Sequence, residues 1–176
     1  LSNSKLVLIL NVLELASFHA NYETTSFYEK IEKVDQIQNK RQTKTILVVD
    51  DSRIQRKRIC EFLQQSGYRT EEAVDGYDAL NMCKKFKFNS FCVDIQMPLM
   101  DGYELIKHLR DLKEYRFTYI CVISGVHMDK DNVTARLRDL EVHGFYEKPV
   151  DLDDLIAELD DKLIGEENSL VEEVLT

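Results

Sequence analysis

The chain has 176 residues, of which 44% are hydrophobic and 31% charged, a composition typical of a soluble globular protein and unlike that of a disordered or fibrous one. This length allows one sizeable core with a small appendage. The net charge of -9 comes from residues 151–176, which hold ten acidic residues and one basic residue, while residues 1–43 and 44–150 are each neutral, so direct binding to nucleic acid is not expected.

The first 43 residues predict a helical N-terminal extension. Residues 6–18 are richly apolar, and a second short helix is predicted over residues 27–39, followed by a polar linker at 39–44. The apolar run is shorter than the roughly 20 residues of a membrane span and contains Asn11 and Glu14, so no span is predicted.

Three interpretations of this extension remain open. It packs on the following domain or pairs with another chain as a dimerising hairpin, it is the remnant of a larger protein, or it is a wrongly assigned start of the chain. Apolar content as high as that of residues 6–18 favours a homodimer through residues 1–43 or the docking of a partner.

From Thr45 onward, apolar runs of strand length alternate with segments of helical period. The run at 68–73 is polar enough for an edge strand. Strands joined by helices form a parallel sheet, so we expect an α/β fold, a doubly wound five-stranded parallel sheet. The predicted strands are 46–50, 68–73, 91–94, 119–124 and 144–148, and the predicted helices are 53–66, 76–85, 103–112, 132–141 and 152–164.

Four cysteines are scattered along the chain, without the spacing of a metal site. Cys60, Cys83, Cys92 and Cys121 are therefore predicted to be small core residues in a reducing compartment, which favours a cytoplasmic location.

Polar side chains follow four of the predicted strands. Asp50 and Asp51 end the first strand, Asp94 the third, Ser124 the fourth and Lys148 the fifth. Because ligands of an open parallel sheet bind beyond the carboxyl ends of its strands, these groups should meet at one edge. Three carboxylates repel one another unless a cation lies among them, and Mg²⁺ takes oxygen ligands while leaving positions for phosphate. The pattern favours phosphoryl transfer, with Asp94 as nucleophile.

Four motifs, VVDDS, VDIQMPLMDG, VISG and GFYEKPVD, in this order and spacing, resemble the receiver domain of bacterial response regulators. The resemblance covers residues 44–165 and implies a flavodoxin-like sheet with strand order 2-1-3-4-5. Residues 166–176 then form an acidic C-terminal tail.

The resemblance also implies roles for individual residues. Asp94 is the phospho-acceptor and a metal ligand, Asp51 is a direct Mg²⁺ ligand, and Asp50 holds the metal mainly through water. Gln96 offers its backbone carbonyl to the metal. Two further residues hold the phosphoryl oxygens, Ser124 and Lys148, and Pro149 follows a cis bond.

Switching and the lifetime of the phosphate depend on other positions. Ser124 and Phe145 form the expected switch, which works by packing because Phe145 has no hydroxyl. Gly125 leaves room for the phospho-donor, and Gln96 and Val126 flank the path of attack. An apolar Val126 cannot orient water, so slow self-hydrolysis is expected.

The implied function is a signalling switch. A sensor histidine kinase or a histidine phosphotransfer protein donates the phosphoryl group, the domain catalyses its own phosphorylation, and output passes by contact with a downstream protein. Two alternatives are a receiver excised from a hybrid histidine kinase and a phosphorylation-independent interaction module, although the latter usually loses a key acid or the lysine. A phosphatase of the aspartyl-phosphate kind would show a D-x-D spacing, whereas Asp50 and Asp51 are adjacent.

The first predicted helix is basic. Arg53, Arg56, Lys57 and Arg58 form either a solvated face or a docking patch for an acidic partner.

Overall fold

The computed structural model describes residues 23–125 and 130–165, with side chains described for 31–125 and 135–165. The apolar run at 6–18, Val126 and the acidic tail at 166–176 therefore lie outside the described residues. Eleven elements follow in chain order: α1 (Glu23–Gln42), β1 (Thr45–Val49), α2 (Arg53–Gln65), β2 (Arg69–Ala73), α3 (Gly76–Cys83), β3 (Ser90–Val93), α4 (Gly102–Asp111), β4 (Tyr119–Ser124), α5 (Lys130–Asp139), β5 (Gly144–Glu147) and α6 (Leu152–Ile164).

The five strands form one parallel sheet in the order β2-β1-β3-β4-β5. This confirms the predicted fold class and strand order. β1, β3 and β4 are buried along almost their whole length, whereas β2 is mostly exposed and lies at an edge, as its polar sequence predicts.

Helices cover both faces of the sheet because each central strand is apolar on both sides. Leu47 and Val49 of β1 belong to one core, which α3, α4 and α5 complete. Ile46 and Val48 point the opposite way, into a core completed by α2 and α6. All four cysteines are buried free thiols, in line with their predicted core positions.

Aspartates begin three of the helices. The side chains of Asp75, Asp101 and Asp151 accept hydrogen bonds from backbone N–H groups in the first turns of α3, α4 and α6. Each carboxylate satisfies donors that have no partner within the helix, which favours the start of the helix at the next residue.

The helix predicted at 27–39 is longer in the structure, and most of the predicted polar linker is helical. α1 runs from Glu23 to Gln42, so that only Thr43 and Lys44 separate it from β1. The 39–44 segment contains neither Gly nor Pro, and its polar residues are compatible with a helix. Ile37 is buried, so the C-terminal half of α1 packs on the domain.

Arg41 connects the C-terminal end of α1 to α6. Its guanidinium donates to both carboxylate oxygens of Asp160 and to the Ser66 carbonyl oxygen (2.8 Å). The Tyr68 hydroxyl donates a hydrogen bond to Oδ1 of the same carboxylate, at 2.5 Å. Among the described residues, no helix combines the length and apolar character needed to cross a membrane.

Candidate phosphoryl-transfer and metal site

The sheet register brings the polar residues that follow β1, β3, β4 and β5 to one edge. The Asp94 N–H donates to the Val49 carbonyl oxygen at 2.8 Å, and the Lys148 N–H donates to the Ser124 carbonyl oxygen at 2.8 Å. These bonds extend the strand ladder past the last strand residues, so the side chains that follow each strand share one rim, as the parallel arrangement requires.

Three carboxylates converge at this rim. Asp50, Asp51 and Asp94 each offer a ligand oxygen within 4.8 Å of the others. Asp50 and Asp94 are buried, with 1% and 5% of their surface exposed, whereas Asp51 is exposed. The site therefore has a closed floor and one open side.

Lys148 bridges the two buried acids. Its ammonium lies 2.7 Å from Asp50 Oδ2 and 3.1 Å from Asp94 Oδ2. One ammonium contacts the two buried acids, and Asp51 adds a third negative charge at the open side of the site. Burial raises the pKa of Asp94, the Lys148 ammonium lowers it, and the neighbouring Asp50 raises it again, with a net upward direction.

The oxygens at this rim fit a hard divalent cation. Asp94 Oδ1 is buried and has no hydrogen-bond partner among the described residues, so this carboxylate oxygen can serve as a metal ligand. Both carboxylate oxygens of Asp50 already accept hydrogen bonds, Oδ1 from the Ser52 N–H at 2.8 Å and Oδ2 from the Lys148 ammonium. Asp51 is open to solvent. Carboxylate oxygens with access to water are the ligands that Mg²⁺ favours.

The remaining predicted residues surround this cluster. Ser124 is buried at the end of β4, and Gly125 next to it is exposed. Of the residues that the structure describes, a Cβ on Gly125 would meet only the Lys148 side chain, at 3.8 Å, so these residues leave the approach open. Gln96 is exposed, and a hydrogen bond from its backbone N–H stabilises the charged carboxylate of Asp94, which lowers the pKa of Asp94. Phe145 is 39% exposed and points outward in this conformation.

The loop after β3 is held closely under the start of α4. The Gly102 N–H donates to the Ile95 carbonyl oxygen at 2.9 Å. A Cβ on Gly102 would lie 2.3 Å from the Asp94 carbonyl oxygen, so only glycine permits this approach. Leu99, at the tip of the loop, has a positive φ of 68° and is 80% exposed. The Lys148–Pro149 peptide bond is cis, as the resemblance implies.

The interpretation of the basic helix as an exposed face missed Arg56, whose guanidinium is buried against this site. Arg56 donates to the Asp50 carbonyl oxygen at 2.6 Å and pairs with Glu72 at 3.0 Å. A signal was present in the sequence, because Arg56 shares the helical spacing of the buried residues Ile59 and Leu63.

The family model of the response regulator receiver domain matches residues 46–160. A curated relative, the probable transcriptional regulator ycf29 of Porphyra purpurea, is 28% identical over 112 residues, which are 64% of this chain and 53% of that protein. The chain thus spans about half the length of this relative. The polar-differentiation response regulator DivK of Brucella ovis is 27% identical over 61% of this chain and 86% of its own.

Solved structures share the fold. The chemotaxis protein CheY4 of Vibrio cholerae is 30% identical, with a TM-score of 0.63 over 68% of this chain and 98% of its own. The receiver domain of the sensor histidine kinase PA1611 of Pseudomonas aeruginosa, with a magnesium ion coordinated in its active site cleft, is 20% identical, with a TM-score of 0.62 over 69% of this chain and 98% of its own. The second likeness concerns the fold alone. With the family model matching well over half of its length, the chain belongs to the response regulator receiver domain family.

Proposed function

We propose that the protein is a phospho-accepting receiver in which Asp94 takes a phosphoryl group from a phosphohistidine donor. In this step the P–N bond of the donor breaks and a P–O bond to a carboxylate oxygen of Asp94 forms. The observation that carries the proposal is Asp94 Oδ1, a buried carboxylate oxygen without a partner beside two further acids. A carboxylate presents two oxygens, so one oxygen of Asp94 is available for nucleophilic attack while the other ligates the metal.

The other residues of the rim have separate tasks in this proposal. Lys148 neutralises charge on the acceptor and on the incoming phosphoryl oxygens, since its ammonium already lies 3.1 Å from Asp94. Ser124 supplies a hydroxyl at the end of the neighbouring strand. Gly125 has no side chain to narrow the entrance for a histidine, and the nearest described atom to a Cβ placed there is 3.8 Å away.

Mg²⁺ is the proposed metal, held by Asp51 and Asp94 directly, by Asp50 mainly through water, and by the Gln96 carbonyl. When bound, it supplies positive charge to phosphoryl oxygens during transfer. The cluster of three acids around one lysine supports this assignment. The magnesium in the cleft of the PA1611 receiver domain is a further support from the same fold.

The test is covalent labelling with a small phospho-donor. Protein incubated with acetyl phosphate and Mg²⁺ should gain one phosphoryl group by intact mass, and Asp94→Asn should gain none. Asp111→Asn is the matched control, because Asp111 is an exposed carboxylate at the end of α4. Labelling of Asp94→Asn equal to that of the control would refute the acceptor assignment, and absence of labelling in all three would favour a phosphorylation-independent module.

A docking surface for the donor lies beside the site. Ile54, at the start of α2, is 83% exposed. A groove of about 270 Å³ between α2 and the turn after β5 is lined by Gln55, Arg58 and Pro149, among others. We propose that a histidine kinase or phosphotransfer protein docks here, with the exposed basic residues of α2 facing its acidic groups. Arg58→Glu should then slow the transfer of the phosphoryl group from the phosphohistidine donor and leave labelling by acetyl phosphate unchanged.

Phosphorylation is proposed to act on a two-position switch. The new dianion draws Ser124 toward it, and Phe145, outward in the present conformation, turns into the space that opens. A changed face of α5, β5 and α6 then meets a downstream protein in the cytoplasm. Amide shifts on addition of beryllofluoride and Mg²⁺ should map to this face, and shifts confined to the rim would contradict the switch.

Val126 is proposed to prolong the phosphorylated state, since an apolar side chain cannot orient an attacking water. A phosphate-release time course should be faster for Val126→Glu than for the wild type. Equal rates would show that this position does not set the lifetime.

Homodimerisation through the N-terminal extension is tested by light scattering. Because Arg41 is part of the folded domain, the comparison should remove residues 1–22 and retain α1. Loss of a dimer on this truncation supports pairing through the extension, and an unchanged mass contradicts it.

A second candidate is the receiver of a hybrid histidine kinase. The signal receiver domain of a histidine kinase from Syntrophus aciditrophicus is 25% identical, with a TM-score of 0.63 over 72% of this chain and 94% of its own. Reading the coding sequence adjacent to this one for kinase motifs distinguishes it from a free-standing regulator.

A further inference from the structure

We propose that Arg56 is a positioning residue for the metal site, acting through the peptide bond that joins Asp50 to Asp51. This inference rests on the proposed function, since it concerns how the acids of the same site are held.

Arg56 is a buried cation that makes two charge-assisted contacts. It is 6% exposed, and its guanidinium donates to the Asp50 carbonyl oxygen at 2.6 Å and to Glu72 Oε2 at 3.0 Å. It lies on α2, whereas Glu72 lies on β2 and Asp50 follows β1. One side chain thus ties together the three elements that meet beside the acidic cluster.

The contact with Asp50 fixes the direction of both adjacent acids. The Asp50 carbonyl belongs to the peptide group between Asp50 and Asp51, and this group is planar. The hydrogen bond from Arg56 to this oxygen therefore fixes the orientation of the peptide plane, which contains the Cα atoms of both Asp50 and Asp51. Without Arg56 the carbonyl loses this support, and the exposed Asp51 side chain can then move more easily.

The backbone around the turn is connected to the same residue. The Arg56 N–H donates to the Ser52 carbonyl oxygen at 2.9 Å, and the Ser52 N–H donates to Asp50 Oδ1 at 2.8 Å. Arg56 thus reaches the turn from its backbone and from its side chain. Glu72 orients the guanidinium from the other side, but its side chain is 40% exposed, so its contribution should be smaller.

Charge and position predict opposite results when Arg56 is neutralised. Removing a cation near three carboxylates should strengthen the binding of Mg²⁺ by Coulomb attraction. Losing the support of the turn should weaken it, because residues that orient metal ligands typically contribute about tenfold or more to metal affinity. The sign of the change therefore separates the two effects.

The experiment is a titration of the isotopically labelled full chain with MgCl₂, followed by backbone amide shifts. Arg56→Gln should bind Mg²⁺ about tenfold more weakly than the wild type. The control Lys57→Gln removes an exposed charge from the same helix and should change the affinity by less than about twofold. Acetyl phosphate labelling of Arg56→Gln should recover at saturating Mg²⁺, a result that general damage to the site would not give.

Each outcome decides the proposal. Unchanged or tighter Mg²⁺ binding by folded Arg56→Gln would overturn it, even if the melting temperature fell, because the residue would then be merely structural. If Arg56→Gln fails to fold, Arg56→Lys decides, because it keeps the positive charge and loses the planar guanidinium that holds the Asp50 carbonyl oxygen. Weaker Mg²⁺ binding by Arg56→Lys is expected, and unchanged affinity would overturn the proposal. Wild-type protein that binds no Mg²⁺ would overturn the proposed metal site as well, whereas wild-type binding with unaltered variants would overturn the role of Arg56 alone.

Discussion

Replacing Arg41 by Ala should destabilise the whole domain, although Arg41 lies in the N-terminal extension. The Asp160 side chain is only 5% exposed, and within the described part of the chain Arg41, 11% exposed, is its only cationic partner. After the replacement, Asp160 keeps one hydrogen bond, from Tyr68, and the Ser66 carbonyl oxygen loses its donor. Leaving a buried charge uncompensated costs roughly 3–5 kcal/mol of unfolding free energy.

Thermal unfolding measures this loss. For a folded chain of this size, 1 kcal/mol corresponds to roughly 3 °C, so Arg41→Ala should melt about 10 °C or more below the wild type. Lys33→Ala, which removes an exposed cation from the same helix, should stay within about 2 °C. The double variant Arg41→Met with Asp160→Asn should lose less than Arg41→Ala alone, because no charge is then left buried. A loss below about 1 kcal/mol in Arg41→Ala would refute the reasoning, since a solvent-exposed pair gives that value.

Three further predictions concern the site and the sheet. Gly102→Ala should lower the melting temperature and abolish acetyl phosphate labelling, because its Cβ would meet the Asp94 carbonyl oxygen at 2.3 Å. Gly125→Ala should melt like the wild type, and equal melting of the two variants would contradict the steric argument. Asp94→Asn should melt at a higher temperature than the wild type at neutral pH, because the raised pKa of Asp94 means that its ionisation destabilises the folded state. The difference in melting temperature should shrink as pH falls toward the ordinary aspartate pKa of 3.8. A lower melting temperature of the Asn variant at neutral pH would contradict this prediction. His143 is largely exposed, and its ring accepts a hydrogen bond from the Ile120 N–H. Partial burial of the ring and the Arg110 guanidinium lower its pKa from 6.5, so a small contribution to stability is present above pH 6.5 and is lost as pH falls from there toward the lowered pKa. His143→Gln should therefore lose slightly less in melting temperature between about pH 7.5 and 5.5, and parallel curves would contradict this.

The regular elements of the sheet were predictable because their signals are local. Alternation of apolar runs with helical periods located all five strands and the helices between them, with ends that differ from the structure by about two residues. The helix predicted at 132–141 starts at Lys130 and ends at Asp139, and α6 coincides with its predicted range.

The acidic rim was predictable for a topological reason. The carboxyl ends of parallel strands lie at one edge, so Asp50, Asp94 and Lys148 had to meet if the strands were parallel. Their contacts at 2.7 and 3.1 Å follow from the register of β1, β3 and β5 across the sheet.

Buried charges far from their partners in sequence were not predictable in the same way. Asp160 belongs to a segment rich in acids and was assigned to the acidic excess, yet it is buried because Arg41, 119 positions earlier, lies against it. The full length of α1 was missed for the same reason, since a polar segment reads as a linker until its tertiary partner is known.

The short connection between α1 and β1 has a geometric consequence. The helix has 20 residues and is therefore about 30 Å long, and two residues and a buried ion pair hold its C-terminal end to the sheet. Because Ile37 is buried as well, the C-terminal half of the helix is attached at two points, and a displacement of α6 should carry this half of α1 with it.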